Sequence, residues 1–343
     1  MKARSRSGFH IVLAATAGGV LAYAGLRLLS PKPPAAGSSA AGQGVAPRPA
    51  SPASASSASP LGPPQLLYLP DGGDLGPGAH PGQRVLPGPW RPAGGACPED
   101  MVGIGSAYCI DRYESSLVDT AQGRLVSPYY HPERSILQRT YGRWRNARAS
   151  GETELARSTA VPEPASWQLQ QDFDVRAVSR AGVVPNGYMT RGLSKRACEN
   201  AGKRLCSEDE WVRACRGSAG RKFPYGDKYE HGRCNVFREA HPAAALHGNA
   251  SINHTDPRLN QVAAGGRPLL RKTGATAECA SRWGDDAVFD MVGNLDEWVE
   301  DPEGVFVGGF YSRSTRSGCE SKVSSHAPSY FDYSLGTRCC KSL

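Results

Sequence analysis

The first 96 residues contain no cysteine and only two acidic residues, Asp71 and Asp74, although the chain as a whole has ten cysteines and 32 Asp and Glu. They are also poor in groups that could build a core. Residues 31–96 hold 15 of the 27 prolines, set among alanine, glycine and serine. Such a stretch cannot bury enough apolar surface to offset the entropy of ordering it, so residues 30–96 are expected to be a solvated linker. All ten cysteines fall between Cys97 and Cys340, which leaves residues 97–343 as one cysteine-dense globular domain. Other absences narrow its chemistry. No G-x-G-x-x-G or P-loop cradles a phosphate, and no C-x-x-C marks a zinc ribbon or dithiol redox centre. No helical H-x-x-x-H or H-E-x-x-H offers a metal site, and no internal repeat is present. The formal charge of +8 does not indicate a nucleic-acid surface. Eight Lys/Arg and two Asp give +6 in residues 1–96, whereas 32 basic and 30 acidic residues give +2 in the remainder. Without a basic patch interleaved with aromatics, no nucleic-acid partner is expected.

Lys2, Arg4 and Arg6 precede an apolar run from Ile11 to Leu26, followed by Arg27, Leu28 and Leu29. Positive charge ahead of such a run holds the N-terminus in the cytoplasm and sends the rest across the membrane. Residues 1–29 are therefore expected to be an export signal. Ala22-Tyr23-Ala24 offers a cleavage site for a signal peptide. Left uncleaved, the run reaches nearly to Leu29 and could just span a bilayer, which usually takes roughly 20 apolar residues. The preferred expectation is an anchor in the cytoplasmic membrane with the domain facing outward; cleavage would make the protein secreted. No cysteine lies near residue 25 to carry a lipid. Ten cysteines in an exported chain argue for structural disulfides.

Within the domain, Met101, Val102 and Ile104, then Tyr108 and Ile110, predict two short strands joined by a Gly-Ser turn, with Cys97 and Cys109 bridging them. Residues 115–180 show no motif. Ser194 is placed to cap a helix through Asn200 that Gly202 ends. Ser207-Glu208-Asp209-Glu210 reads as a capping box, and the helix it starts should turn Trp211, Val212 and Cys215 inward. Turn-rich sequence follows. Short helices, short strands and many loops predict a disulfide-stabilised α+β domain. Asn249-Ala250-Ser251 and Asn253-His254-Thr255 match the glycosylation acceptor pattern and support only a surface loop.

Three segments resemble those of the formylglycine-generating, sulfatase-modifying family. Ala201-Gly202-Lys203-Arg204-Leu205 with Ser207-Glu208-Asp209-Glu210-Trp211 is similar to the family's AGKRLPTEAEW, with Cys206 in place of the proline. Asp290-Met291-Val292-Gly293-Asn294-Leu295-Asp296-Glu297-Trp298 resembles DMVGNVWEW. Gly308-Gly309 followed by Gly336-Thr337-Arg338-Cys339 resembles the GGS(Y/W)…GFRC ending, and Ile110-Asp111-Arg112-Tyr113-Glu114 resembles the opening strand. The resemblance implies a C-type-lectin-like topology. It also implies disulfides Cys198–Cys339 and Cys215–Cys319. For the other four cysteines the family has no template, and Cys206–Cys234 with Cys279–Cys340 serve as trial pairings. Structural calcium is implied at two places. The first would use Asp290, the main-chain oxygens of Gly293 and Leu295, and Glu297; the second would begin with Asn235 and the carbonyl of Val236. Oxygen ligands on a turn suit that hard cation.

The family's oxidase chemistry needs two nearby thiolates to bind Cu(I) and exchange with a substrate cysteine. In the register the resemblance implies, those positions are Arg313 and Gly318 here, with Cys319 one residue off and no cysteine between Cys279 and Cys319. Copper is accordingly not expected, and no catalytic residue is assigned. Ser312, Ser314, Thr315 and Ser317 lie near the same place, with His326 as the only nearby base in sequence. A serine without a positioned base is a weak nucleophile, so Arg313, Ser317 and His326 are read as lining a binding cleft. The expectation is a non-catalytic module for a peptide or glycan. The alternative is a formylglycine-generating oxidoreductase with an atypical site.

Overall fold

The computed structural model describes residues 97–343 except 238, 239 and 314, so the expected export segment (residues 1–29) and linker (residues 30–96) lie outside the described residues. Strands β1 (Met101–Ile104) and β2 (Tyr108–Asp111) form the expected hairpin, with Met101 opposite Asp111 and Ile104 opposite Tyr108. The Cys97–Cys109 bridge staples the entry of β1 to β2. Strand β3 (Ser115–Asp119) pairs antiparallel with β4 (Val175–Ser179). Between them, where the sequence shows no motif, lie α1 (Arg134–Ala147), α2 (Glu154–Ser158) and α3 (Ser166–Gln170). Helix α1 buries only Leu137 and Trp144, seven residues apart and hence on one face.

Helix α4 (Arg191–Asn200) begins earlier than expected. Its cap is Thr190, whose hydroxyl accepts from the N–H of Leu193 at 3.1 Å, while Ser194 is buried within the first turn. Strand β5 (Arg204–Leu205) leads into α5 (Glu208–Arg216), where both halves of the capping box form: Glu210 N donates to Ser207 Oγ at 3.2 Å and Ser207 N donates to Glu210 Oε2 at 2.9 Å. Trp211, Ala214 and Cys215 face inward, whereas Val212 is only half-buried, because a step of about 100° per residue carries it to the flank. Then follow α6 (Pro242–His247), the hairpin β6 (Ala263–Ala264) with β7 (Arg267–Pro268), and the hairpin β8 (Ala280–Trp283) with β9 (Asp286–Phe289). The chain ends through β10 (Asp296–Trp298), β11 (Phe306–Val307), β12 (Lys322–Val323), β13 (Leu335–Thr337) and β14 (Cys339–Ser342). This is the α+β, disulfide-stabilised architecture that the sequence predicts.

Two four-stranded sheets organise the domain. One runs β1-β2-β14-β5; the other runs β12-β11-β10-β13, with β10 and β13 parallel. Residues 335–342 therefore belong to both sheets, with Arg338 at the crossing. Successive side chains of a strand point to opposite faces, so the adjacent Cys339 and Cys340 enter different cores. Cys340 joins the core of Trp211, Met291 and Val292; Cys339 joins that of Leu193, Trp298 and Leu335.

Five disulfides use all ten cysteines: Cys97–Cys109, Cys198–Cys339, Cys206–Cys340, Cys215–Cys319 and Cys234–Cys279. The trial pairings Cys206–Cys234 and Cys279–Cys340 are thus incorrect. Pairing of β14 with β5 sets Cys340 opposite Arg204, within reach of Cys206 just beyond that strand. Cys234 is left to meet Cys279 at the entry to β8. Bridges of this number form and persist in an oxidising compartment outside the cytoplasm. Among the described residues, no helix is long and apolar enough to cross a membrane.

Candidate functional site

The segment that should carry the chemistry leaves β11 through Gly308 and Gly309, at φ +92° and +78°. A Cβ on Gly308 would lie 3.0 Å from the carbonyl oxygen of Met291 and 3.1 Å from the Trp211 ring, and one on Gly309 would collide with the Thr315 hydroxyl. Only glycine lets the chain turn this closely against α5. The turn buries Phe310 and Tyr311 and brings Arg313 back over β10.

There Arg313 Nη2 meets Asp296 Oδ1 at 2.5 Å; the same oxygen accepts from Gly309 N at 2.9 Å. Asp296 is fully buried, and its Oδ2 has no hydrogen-bond partner among the described residues. Burial pushes the carboxyl up to about 7, and the attraction of Arg313 offsets this only in part. Asp296 stands where the signature that the segment resembles has tryptophan, and Arg313 where the enzymes have their first thiolate. The two departures are therefore partners.

The second thiolate position is closed by geometry. Gly318 has φ +61°, and a Cβ there would run into the carbonyl of Lys222. Cys319 is bonded to Cys215 and is fully buried. With every cysteine in a bridge, no thiolate is free to hold Cu(I) or to attack a substrate sulfur.

The three expected cleft residues do not converge. Ser317 is exposed on the turn ahead of a short 3-10 helix at Gly318–Glu320. His326 is half-buried between the rings of Phe306 and Tyr330, 5.7 and 4.1 Å away. It links to Arg313 only indirectly: Tyr330 donates to Asp332 Oδ2 at 2.7 Å, and Tyr333 is the next residue along. Ser312, the other serine with a described position, donates to the Ala240 carbonyl and faces no base. Sequence reasoning missed the polar–aromatic cluster beside Arg313. Tyr311 donates to Asn260 Oδ1 at 3.0 Å, and the Tyr333 hydroxyl lies 3.2 Å from His241 Nε2. The His254 ring stacks edge-on to Tyr333 at 5.7 Å, and Phe310 lies under the Arg313 guanidinium. Burial lowers the His241 imidazole below its usual value. These residues come from loops up to 92 positions apart, and no local motif signals them.

The residues expected to hold calcium are engaged otherwise. Glu297 accepts from Arg338 at 3.0 Å and from the Trp211 indole at 2.7 Å, with both members of the ion pair shielded from solvent. Asp290, at φ +58°, accepts from Gly274 N at 2.6 Å. Burial raises its carboxyl to about 6. Glu114 takes the N–H of Leu295 and the amide of Asn294. At the second place, Asn235 O accepts from Asn294 N at 3.0 Å, and Val236 packs into the core. A Cβ on Gly293 would strike Asn235 O and Val236, which shows how tightly this turn is closed. The carboxylates thus face protein donors, and the positive charge in their midst is the Arg338 guanidinium. The two side chains of the expected first site, Asp290 and Glu297, are therefore held by protein donors. Among the described residues, no group of three or more His, Cys, Asp or Glu is placed to hold a metal.

Solved structures with a similar chain path include PvdO from Pseudomonas aeruginosa, at 17% identity over 69% of this chain and 80% of that one, with a TM-score of 0.32. CarF is similar at 13% identity over 69% and 86% of the two chains, with a TM-score of 0.33. The Major Tropism Determinant I1 variant is similar at 14% identity over 74% and 55%, with a TM-score of 0.35. Likeness at this level says nothing of activity. No curated protein matches the chain. Residues 194–343, which carry the three motif segments, match the family described as the sulfatase-modifying factor enzyme 1-like domain, the family that those motifs resemble.

Proposed function

We propose that the protein is a non-catalytic binding module of the sulfatase-modifying type, held outside the cytoplasmic membrane by its N-terminal segment, and that it engages a peptide or glycan beside Arg313. The observation that carries this reading is the fate of the thiols: the one cysteine near the expected catalytic register is locked to Cys215, and Arg313 bound to Asp296 takes the other position. A fixed guanidinium with its side chain 30% exposed offers a fork for carboxylates, carbonyls or hydroxyls. Half-exposed Tyr330 and the stacked His326, tied to the Arg313 cluster only through Asp332, offer flat faces on which a ring could lie.

The test uses the purified full-length protein with Cu(I) and a sulfatase-motif peptide in air, followed by mass spectrometry. Unmodified peptide is expected. An aldehyde product that Cys319→Ser abolishes would establish the oxidase instead. In parallel, peptide and glycan arrays should return a ligand whose binding weakens about tenfold in a His326→Ala/Tyr330→Ala variant.

A further inference from the structure

At the C-terminal end of α5, two neighbouring open recesses of about 450 and 480 Å³ have Arg216, Gly217 and Ser218 in common and together make up a groove. It has no lining residue in common with the Arg313 site. Five arginines line it: Arg213, Arg216, Arg221, Arg233 and Arg282. Against them stand the acidic lining residues Asp209 and Glu278 and the ion-pair partners Glu230 and Glu320, an excess of one positive charge. Arg233 pairs with Glu230 and Glu278, and Arg216 pairs with Glu320. Arg213, Arg221 and Arg282 are exposed and form no ion pair with any described residue. In a domain whose net charge is only +2, these three guanidiniums at one groove are a concentration of charge rather than a sample of the surface.

The groove is held in shape by the fold. Gly217 ends α5 at φ +65°, and a Cβ there would lie 3.0 Å from the carbonyl oxygen of Arg282. That close approach lets Ser218 N donate to Arg282 O at 2.9 Å, and Arg221 N bonds back to Arg216 O at 2.9 Å. Ser281 Oγ adds a bond to the Cys215 carbonyl at 2.6 Å. The disulfide Cys215–Cys319 anchors the same helix end from beneath. Two aromatic rings flank the floor, each fixed at its polar atom. Trp283 Nε1 donates to Ala214 O at 3.1 Å, and the Tyr225 hydroxyl accepts from Glu230 N at 3.1 Å while its ring stacks on Phe223 at 5.5 Å. Both remain half-exposed.

We propose that this groove binds an anionic polysaccharide, one bearing sulfate or carboxylate groups on successive sugar rings. Guanidinium forks match planar carboxylates and sulfate oxygens in bidentate fashion. Fixed aromatic faces suit the apolar face of a pyranose ring. The turn Gly217–Gly220 that the recesses adjoin, exposed from Ser218 onward, projects little side chain, so a flat chain can cross it. An exported domain meets such polymers, whereas nucleic acid belongs to the other side of the membrane.

Isothermal titration at low salt tests this, with heparin hexasaccharide, oligogalacturonate, neutral dextran oligomer and poly-glutamate peptide as probes. Binding of either or both charged oligosaccharides but not dextran is expected, weakening at least tenfold in Arg221→Glu/Arg282→Glu and falling steeply with added salt. The charge-matched control Arg139→Glu/Arg176→Glu, at two exposed sites elsewhere, should bind as the parent does. Equal binding of poly-glutamate would overturn the sugar assignment. No binding of either charged oligosaccharide, or equal loss in the control variant, would overturn the site. His326→Ala/Tyr330→Ala should leave this binding intact, which separates failure of the groove from failure of the Arg313 reading.

Discussion

Nη2 of Arg313 lies 2.5 Å from Oδ1 of Asp296, a carboxyl that solvent does not reach and whose other oxygen has no described partner. Removing one member of such a pair leaves an uncompensated buried charge, usually at a cost of about 3–5 kcal/mol. Arg313 keeps a 30% exposed side chain and Asp296 can take up a proton, so Arg313→Ala should cost less, ~2–3 kcal/mol, in chemical denaturation at pH 8. Asp296→Leu combined with Arg313→Met should recover most of that loss.

The protonation of Asp296 gives a pH signature. In the folded protein burial holds its proton to about pH 7, against an ordinary value of 3.8. Between those values the folded state binds more protons than the unfolded one. Stability from this group is therefore greatest in acid, declines as pH rises toward 7, and levels above it. Its slope cannot exceed about 1.4 kcal/mol per pH unit. Asp296→Asn should flatten the stability profile between pH 4.5 and 7.5; an unchanged profile would remove Asp296 as its source.

Arg338 and Glu297 are shielded on all sides, and Arg338 also donates to the carbonyls of Asp111 and Phe289. Arg338→Met strips a buried cation from a pocket facing Glu114, Asp290 and Glu297. A loss of about 3–5 kcal/mol or failure to accumulate is expected, with Arg338→Lys rescuing little because its point charge cannot reproduce the fork.

Excess EDTA should leave the melting temperature unchanged, since the Asp290 and Glu297 carboxylates are held by protein donors. A downward shift reversed by Ca²⁺ and not by Mg²⁺ would sink this view of the Asp290–Glu297 turn.

Reduction of Cys215–Cys319, which closes 104 residues, should cost about 2–5 kcal/mol when both cysteines are replaced by alanine. Thermal melting of Cys215→Ala/Cys319→Ala against the parent reads it directly.

Where backbone chemistry is local, the chain was readable from its letters. Ser207 and Glu210 sit three apart, and their reciprocal bonds need nothing else; the β1–β2 hairpin is equally self-contained. The three motif segments carried the architecture from residue 194 onward. Residues 115–180 were opaque because their helices are short and α1 buries just two side chains, too few for a periodic signal. The site was less legible than the fold. Arg313 could be seen to replace a thiolate, but its union with Asp296 depends on how Gly308 and Gly309 fold the chain back. Likewise Asp290, Gly293 and Glu297 can be read off as a signature, whereas the donors that hold the two carboxylates, Gly274 N and the Trp211 indole, are set by tertiary position. Cys206 and Cys234 differ in fate because one adjoins β5 and the other does not.

The neighbouring cysteines of β14 have a consequence for biogenesis. Their partners Cys198 and Cys206 emerge far earlier during synthesis, and both wait for bridges that close across 141 and 134 residues. The two bridges that tie α4 and the start of α5 to β14 cannot close until Cys339 and Cys340 have themselves been delivered. A chain lacking residues 339–343 would expose two unpaired thiols to the oxidising compartment, where they invite mixed disulfides and retention. The last strand thus fixes both bridges at once, and loss of β14 would undo two covalent links that span more than a third of the chain.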